Sequence, residues 1–249
     1  MEWSDEGIVL AMRSLGETSV VLSLLTRMHG RHSGLVRGGA GRRTRGLLQP
    51  GNRLAARWRA RLADHLGTMS CEPGRVLAPG VMDDRRRLAA IAAACAVAET
   101  ALPEREPLPA IFESLARLIA AIETDAGWPA AYVRWELGLL TELGFGLDLG
   151  RCAATGTADD LAYVSPRSGR AVSAAAGAPW KDRLLPLPAF LVDASAPAAG
   201  EAVASGLAVT GHFLLRHVYA EQGRAPPAAR ARLAEEIARA ARSAAKAGG

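Results

Sequence analysis

Residues 52–61 read NRLAARWRAR. Leu54, Ala56, Trp58 and Ala60 alternate there with Arg53, Ala55, Arg57, Arg59 and Arg61. A period of two belongs to a β-strand, and it sends the apolar set inward and most of the arginines outward on one face. Upstream, residues 7–15 (GIVLAMRSL) and 19–26 (SVVLSLLT) are rich in Val, Ile and Leu and are separated by Gly16-Glu17-Thr18, which predicts two strands and a short turn. Residues 31–37 (RHSGLVR) predict a third strand, with Gly34 marking a bulge or sharp bend. Residues 38–46 (GGAGRRTRG) form a Gly/Arg loop that cannot pack a core. Residues 66–72 (LGTMSCE) predict a fifth strand, beyond a turn near Asp64-His65. Five short strands, with one long basic loop between the third and fourth, suit an OB-fold barrel. An SH3-like barrel gives a similar string, so the strand count does not decide between them.

The charge follows the same division. Residues 1–80 hold 12 Arg against 6 Asp and Glu, while residues 81–249 are nearly balanced, with 18 Lys and Arg against 19 Asp and Glu. The net charge of +5 therefore arises in the first third. No acid stands between Glu17 and Asp64, and ten arginines lie from Arg27 to Arg61. That is the electrostatic footprint of a polyanion-binding surface. A solvated basic face without function is the plainer alternative.

From Asp83 the texture becomes helical. Asp83-Asp84 makes a good helix start ahead of residues 85–101. Pro103, Pro107 and Pro109 mark a linker, and residues 110–123 are amphipathic, with Ile111, Leu115, Leu118, Ile119 and Ile122 on one side. Pro129 opens a helix over 130–143 with Tyr132, Trp135, Leu139 and Leu140 inward. Residues 147–180 are irregular around a hairpin at 163–172, Pro186 and Pro188 mark a turn, and 198–220 and 228–245 predict two final helices. The expectation is an α+β chain in two parts: an OB-fold at 1–80, and a mainly α-helical domain at 81–249 carrying a hairpin insertion at about 147–180.

The residues offer binding chemistry more readily than catalysis. Arginine forks match phosphate oxygens, and glycines let a loop follow an irregular backbone. Arg31, Arg37, Arg42, Arg43, Arg45, Arg57, Arg59 and Arg61 are the candidate nucleic-acid phosphate ligands. Aromatics for base stacking are few in the first 80 residues: Trp58 alternates into the core, and Trp3 is placed to plug the barrel end. Backbone-dominated, salt-sensitive and sequence-tolerant binding is expected. Cys152 begins a stretch with the outline of a zinc ribbon, but a metal knuckle needs a second thiolate where Thr155 stands, so no metal is expected. The three cysteines show no paired spacing, and a reducing cytoplasm is the natural setting. The opening MEWSDEGIVL carries acids where a secretion signal needs a basic head, and no stretch is apolar enough to span a membrane. His29, His32, His65, His212 and His217 are scattered, no catalytic motif appears, and acids are missing where a nuclease would hold Mg²⁺. Neither enzyme activity nor a cofactor is expected.

Residues 3–10 (WSDEGIVL), 16–39 (GETSVVLSLLTRMHGRHSGLVRGG), the Arg loop and 48–62 (LQPGNRLAARWRARL) resemble the bacterial recombination mediator family RecO. Residues 133–156 (VRWELGLLTELGFGLDLGRCAATG) resemble that family's helical domain. The resemblance implies an OB-fold, a helical domain and a zinc-ribbon-like insertion, of whose four-cysteine set only Cys152 is kept here. It implies binding of single- and double-stranded DNA and annealing of complementary strands. It also implies loading of RecA, together with RecR, onto DNA coated by single-strand-binding protein, whose acidic-hydrophobic tail docks on the helical domain. The setting it implies is cytoplasmic and nucleoid-associated. An OB-type RNA-binding module would share the charge pattern, and a pure interaction scaffold would bind the tail of single-strand-binding protein but not naked DNA.

Overall fold

The computed structural model describes residues 1–247, leaving aside the side chains of Arg43 and Ala247. Its contacts form two compact units, residues 1–124 and 125–249. The change of texture at Asp83 therefore marks where strands give way to helices. The contacts divide later, because the first two long helices pack onto the barrel.

Unit 1 runs β1 (Glu2–Leu15), β2 (Ser19–Thr26), β3 (Gly30–Val36), α1 (Arg42–Leu47), β4 (Arg53–Arg59), β5 (Thr68–Pro73), α2 (Pro79–Met82), α3 (Arg85–Ala101) and α4 (Pro109–Thr124). The strands close into a barrel in the order β1-β2-β3-β5-β4. Closure in that order, with a helix between the third and fourth strands, makes the barrel OB-like rather than SH3-like. Its interior is filled by Val9, Val20, Leu22, Leu24, Val36, Leu54, Trp58 and Met69. In β1 and β2 the apolar residues run consecutively rather than alternating, because both faces are buried. The inner face meets the barrel core, and the outer face lies under α3 and α4. A register shift between Val9 and Ala11 lets Ile8, Val9 and Leu10 all be buried.

The bulge thus falls in β1 and not at Gly34, where β2 and β3 pair without interruption from Val20↔Val36 to Thr26↔Gly30. Gly34 serves a close approach instead: a Cβ there would lie 2.8 Å from the Met69 Cβ and 3.2 Å from the Trp58 ring. The Gly/Arg segment is also more ordered than a loop, since α1 occupies it. Leu48 is fully buried below the helix. Buried Asn52 donates through Nδ2 to the carbonyls of Gly46 (3.2 Å) and Leu47 (2.9 Å) and accepts from the Leu77 amide (3.0 Å). One side chain thereby ties the end of α1 to the core and satisfies carbonyls that a helix end leaves open. Asp84 caps α3 as the sequence predicts, accepting from the amides of Arg86 and Arg87.

Unit 2 runs α5 (Trp128–Glu142), β6 (Leu161–Val164), β7 (Ala171–Ser173), α6 (Ala174–Gly177), a 3-10 turn (Ala178–Arg183), β8 (Leu185–Pro186), a second 3-10 turn (Ala189–Leu191) and α7 (Glu201–Phe213). A π-helical turn (Leu214–Tyr219) and α8 (Ala228–Ala247) follow. The predicted hairpin is there, and β8 extends it into a sheet of order β7-β6-β8. Pro186 therefore sits on an edge strand, where a missing N–H is tolerated. Hydrogen bonds and an ion pair hold the hairpin. The Ser173 amide donates to Cys152 Sγ (3.3 Å), Arg170 pairs with Asp148 (3.3 Å), and the Pro166 carbonyl is gripped by His212 Nε2 (3.0 Å) and Arg216 (2.6 Å). Among the described residues no His, Cys, Asp or Glu side chains converge as a metal site would require.

A buried ion pair fastens the helices of unit 2. Glu136 on α5 has no exposed surface and accepts from Arg230 on α8 through both oxygens, at 3.0 and 2.9 Å. Thr210 on α7 also donates to Glu136, and Gly211 leaves room for the guanidinium. Among the described residues, no helix is long and apolar enough to cross a membrane.

Candidate nucleic-acid interface

The sequence treats the arginines of residues 27–61 as one group, and the fold separates them. The β1–β4 register places Glu2 opposite Arg59, Ser4 opposite Arg57, and Ile8 opposite Arg53. Acids from the head of the chain are thus laid beside the arginine strand. Glu6 takes Arg53 (2.6 Å) and Arg27 (3.1 Å), and Glu2 takes Arg57. Burial raises the Glu6 pKa, but hydrogen bonds from Arg53 and Arg27 outweigh it and hold the carboxyl below its ordinary value. The helices supply more acids: Glu113 on α4 takes Arg27, and Glu123 takes Arg75 (2.5 Å).

Arg31 is withdrawn from the candidate set. Its Nε donates to the Leu102 carbonyl (2.9 Å), and its fork faces Glu104 (3.2 Å) and Glu99 (3.7 Å) with only 15% of the side chain exposed. A guanidinium so engaged has few donors left for phosphate. Its acids come from α3 and the linker beyond it, so no pattern local to β3 signals them.

Arg37, Arg42, Arg45, Arg59 and Arg61 are different. All five are exposed, and among the described residues none has a carboxylate partner. The side chain of Arg43 lies outside the described residues. Arg37 follows β3, Arg42 and Arg45 ride on α1, Arg59 ends β4, and Arg61 opens the loop to β5. Arg37, Arg57 and Arg59 line an open groove of about 600 Å³, together with Thr44, Thr68 and Ser70. The groove exists because β3 and β5 meet through one parallel register pair, Leu35 with Thr68. Its floor is Met69 and Leu35, and among the described residues its one acid is Glu2.

The β4–β5 loop is immobilised from below. Arg105, whose backbone holds the left-handed conformation at φ 62°, donates to the carbonyls of Ala63, Asp64 (3.1 Å) and His65 (3.1 Å). Three hydrogen bonds offset the strain of that φ and fix the loop that carries Arg61. Gly67, at φ 64°, lets the chain pass the Trp58 indole, whose Nε1 donates to the Leu66 carbonyl (2.8 Å).

The aromatics of the barrel are engaged with each other. Trp58 is buried in the core. Trp3 stacks on His29 (4.4 Å) and lies near-parallel to Trp58 (5.8 Å), with His32 edge-on (4.9 Å). Trp3 thus joins an aromatic cluster and offers no free platform for a base. The surface is one of cations with hydroxyls beside them, suited to a sugar–phosphate backbone. Cys71 lines the groove, but burial pushes its thiol up to about 12, which makes it inert there.

Comparison with known proteins gives the arrangement a lineage. Residues 1–75 match the family model for the recombination protein O N terminal domain, and residues 82–224 match that for the C terminal domain. The DNA repair protein RecO of Rhodospirillum rubrum is 55% identical over 245 residues, covering 96% of this chain and 97% of that protein. The one from Rhodospirillum centenum is 55% identical over 242 residues, covering 96% of each. That of Caulobacter vibrioides is 49% identical over 240 residues, covering 96% of this chain and 99% of its own. An OB-like barrel with a helical second part, matched along nearly its whole length, places this chain in the RecO family of DNA repair and recombination proteins.

Proposed function

We propose that this chain anneals complementary single strands and, with RecR, helps load RecA onto DNA coated by single-strand-binding protein. Annealing needs no bond chemistry and no cofactor, so the protein acts as a mediator and not as an enzyme. Two polyanions repel each other, and a basic surface that neutralises both lowers the barrier between them. The observation that supports the reading is the set of five exposed arginines without carboxylate partners among the described residues; two of these arginines, Arg37 and Arg59, line the groove between β3 and β5. Double-stranded DNA shares the phosphate chemistry and is a second ligand of the same surface. RecR, the tail of single-strand-binding protein and, indirectly, RecA are the protein partners of this reading, and its setting is the cytoplasm, at the nucleoid.

The test is the salt dependence of oligonucleotide binding. Five phosphate contacts give a log–log slope of roughly −3.5 on single strands. Reversing Arg37 and Arg59 together (R37E/R59E) removes two contacts, so the slope flattens to about −2 and affinity falls about tenfold or more for all sequences alike. Both side chains are solvent-facing, so unfolding stability stays within about 0.5 kcal/mol. Annealing of complementary strands, bare and coated by single-strand-binding protein, falls in parallel. An unchanged slope in the double variant would remove the groove from the mechanism.

A further inference from the structure

We propose that unit 2 carries a second nucleic-acid contact, in which Trp180 stacks on an unpaired base while Lys181 and Arg183 hold the adjoining phosphates. The inference rests on the reading that the ligand is single-stranded DNA, and it adds base contact to a mechanism otherwise built on the backbone.

Trp180 is 57% exposed, and among the described residues no other Trp, Tyr or Phe is exposed. Trp58, Trp128 and Trp135 are buried, and Trp3 is partly buried and stacked on His29 and Trp58. A large ring left in water is informative when cations surround it. Lys181 and Arg183 are both exposed on the same 3-10 turn, with Asp182 the one acid in it. The Arg183 guanidinium stands 5.8 Å from the Trp180 ring centroid, steadying the ring while more than half of the residue stays in solvent.

The turn sits on a rigid base. A Cβ at Gly177 would lie 2.4 Å from the Tyr163 ring, so only glycine lets the chain leave α6 this close to the sheet. Immediately after the turn, Leu185 pairs with Val164 and Pro186 with Tyr163. That antiparallel register runs Arg183 toward the hairpin turn that bears exposed Arg167, whose Pro166 carbonyl is held by exposed Arg216. An exposed indole with cations in its own turn and at the adjacent hairpin is the combination by which single-strand binders take a base face and its phosphates together.

Full-length protein is titrated with a thymidine oligonucleotide and with an abasic deoxyribose-phosphate oligomer of equal length. Tryptophan emission and affinity are both read. The red-edge emission of the exposed indole is quenched by the thymidine oligomer in the wild type and in R37E/R59E at saturation. Trp180→Ala weakens thymidine binding about tenfold and leaves abasic binding unchanged, while Trp180→Phe keeps most of the affinity. If the wild type binds and Trp180→Ala binds both oligomers equally well, the stacking contact is overturned and the barrel reading stands. Emission that saturating oligonucleotide does not alter also overturns it, leaving the ring for a protein partner. A wild type that binds neither oligomer removes both readings.

Discussion

Two grooves flank Arg57, and they carry opposite charge. On one side, Arg37 and Arg59 join Arg57 around a floor of Leu35 and Met69. On the other, Asp5, Glu6 and Glu72 line a groove of about 720 Å³ that also touches Arg57 and Ser70. The first presents cations to a phosphate chain, and the second presents carboxylates that would repel one. The contrast comes from strand register. β1 lays Glu6 near the start of β4 and Glu2 near its end, so Arg53 and Arg57 are tied while Arg59 and Arg61 stay free. Positive charge therefore rises along the arginine strand. A stretch free of acids in sequence is not free of them in space.

Predictions that break or sharpen this contrast run from folding to fine tuning. The largest effect belongs to a tied arginine. Arg31→Ala leaves Glu99 half-enclosed and the Leu102 carbonyl without its donor, and unfolding stability drops by about 2–4 kcal/mol. Urea midpoints measure it, and DNA affinity of the folded fraction stays within about twofold. A variant as stable as wild type but weaker on DNA would move Arg31 back among the phosphate ligands.

The next effect concerns acid. His32 is 4% exposed and, among the described residues, neither ring nitrogen has a hydrogen-bond partner. Burial first, and then the charges of Arg105 and His29, hold its pKa down at about 4. The unfolded chain protonates at the ordinary value of 6.5, so between pH 6.5 and 4 it binds more protons than the folded chain. Stability contributed by neutral His32 is thus full above pH 6.5 and is lost as pH falls toward 4. His32→Phe keeps a ring against Trp3 and Trp58 and removes two unsatisfied nitrogens. It should be at least as stable at pH 7 and should lose about 1–2 kcal/mol less than wild type on going to pH 5. Parallel slopes for the two proteins would show that His32 is not the titrating group.

The smallest effect tests the boundary residue. Glu2→Gln releases Arg57 into the basic groove and removes its one acid. Affinity for single strands should rise about threefold at low salt, with stability within about 0.5 kcal/mol. Weaker binding by this variant would mean that Glu2 positions Arg57 for the ligand.

Much of the fold is legible in the sequence wherever one side of an element meets water. β4 alternates because its outer face is solvated, and the bounds of β2 and α3 follow directly from apolar runs and the Asp84 cap. Where both faces are covered, the pattern fails. β1 begins five residues earlier than its apolar run, because Trp3 pairs with Trp58 across strands while Ser4, Asp5 and Glu6 look like loop. The helix α1 is hidden for another reason. The glycines around it disfavour a helix, and it stands on Asn52 and Leu48, which lie beyond its end. The candidate site was legible as a charge but not as a selection among charges. Which arginines remain free depends on Glu2, Glu6, Glu99, Glu104 and Glu113, which stand well apart from them in sequence.

The buried Glu136–Arg230 pair has a consequence for the order in which the molecule is made. Its partners are separated by 94 residues. At a synthesis rate of about 5–20 residues per second, α5 leaves the ribosome roughly 5–20 s before the guanidinium that neutralises it. Over that interval Glu136 has to stay hydrated, since burying a lone carboxylate is prohibitive. The barrel unit closes on contacts within residues 1–124, and its long-range pair Arg27–Glu113 is part-exposed, so neither charge there needs a partner before it can stay hydrated. The nascent chain therefore carries a complete barrel unit before the ion pair that fastens the helices of its second unit can form.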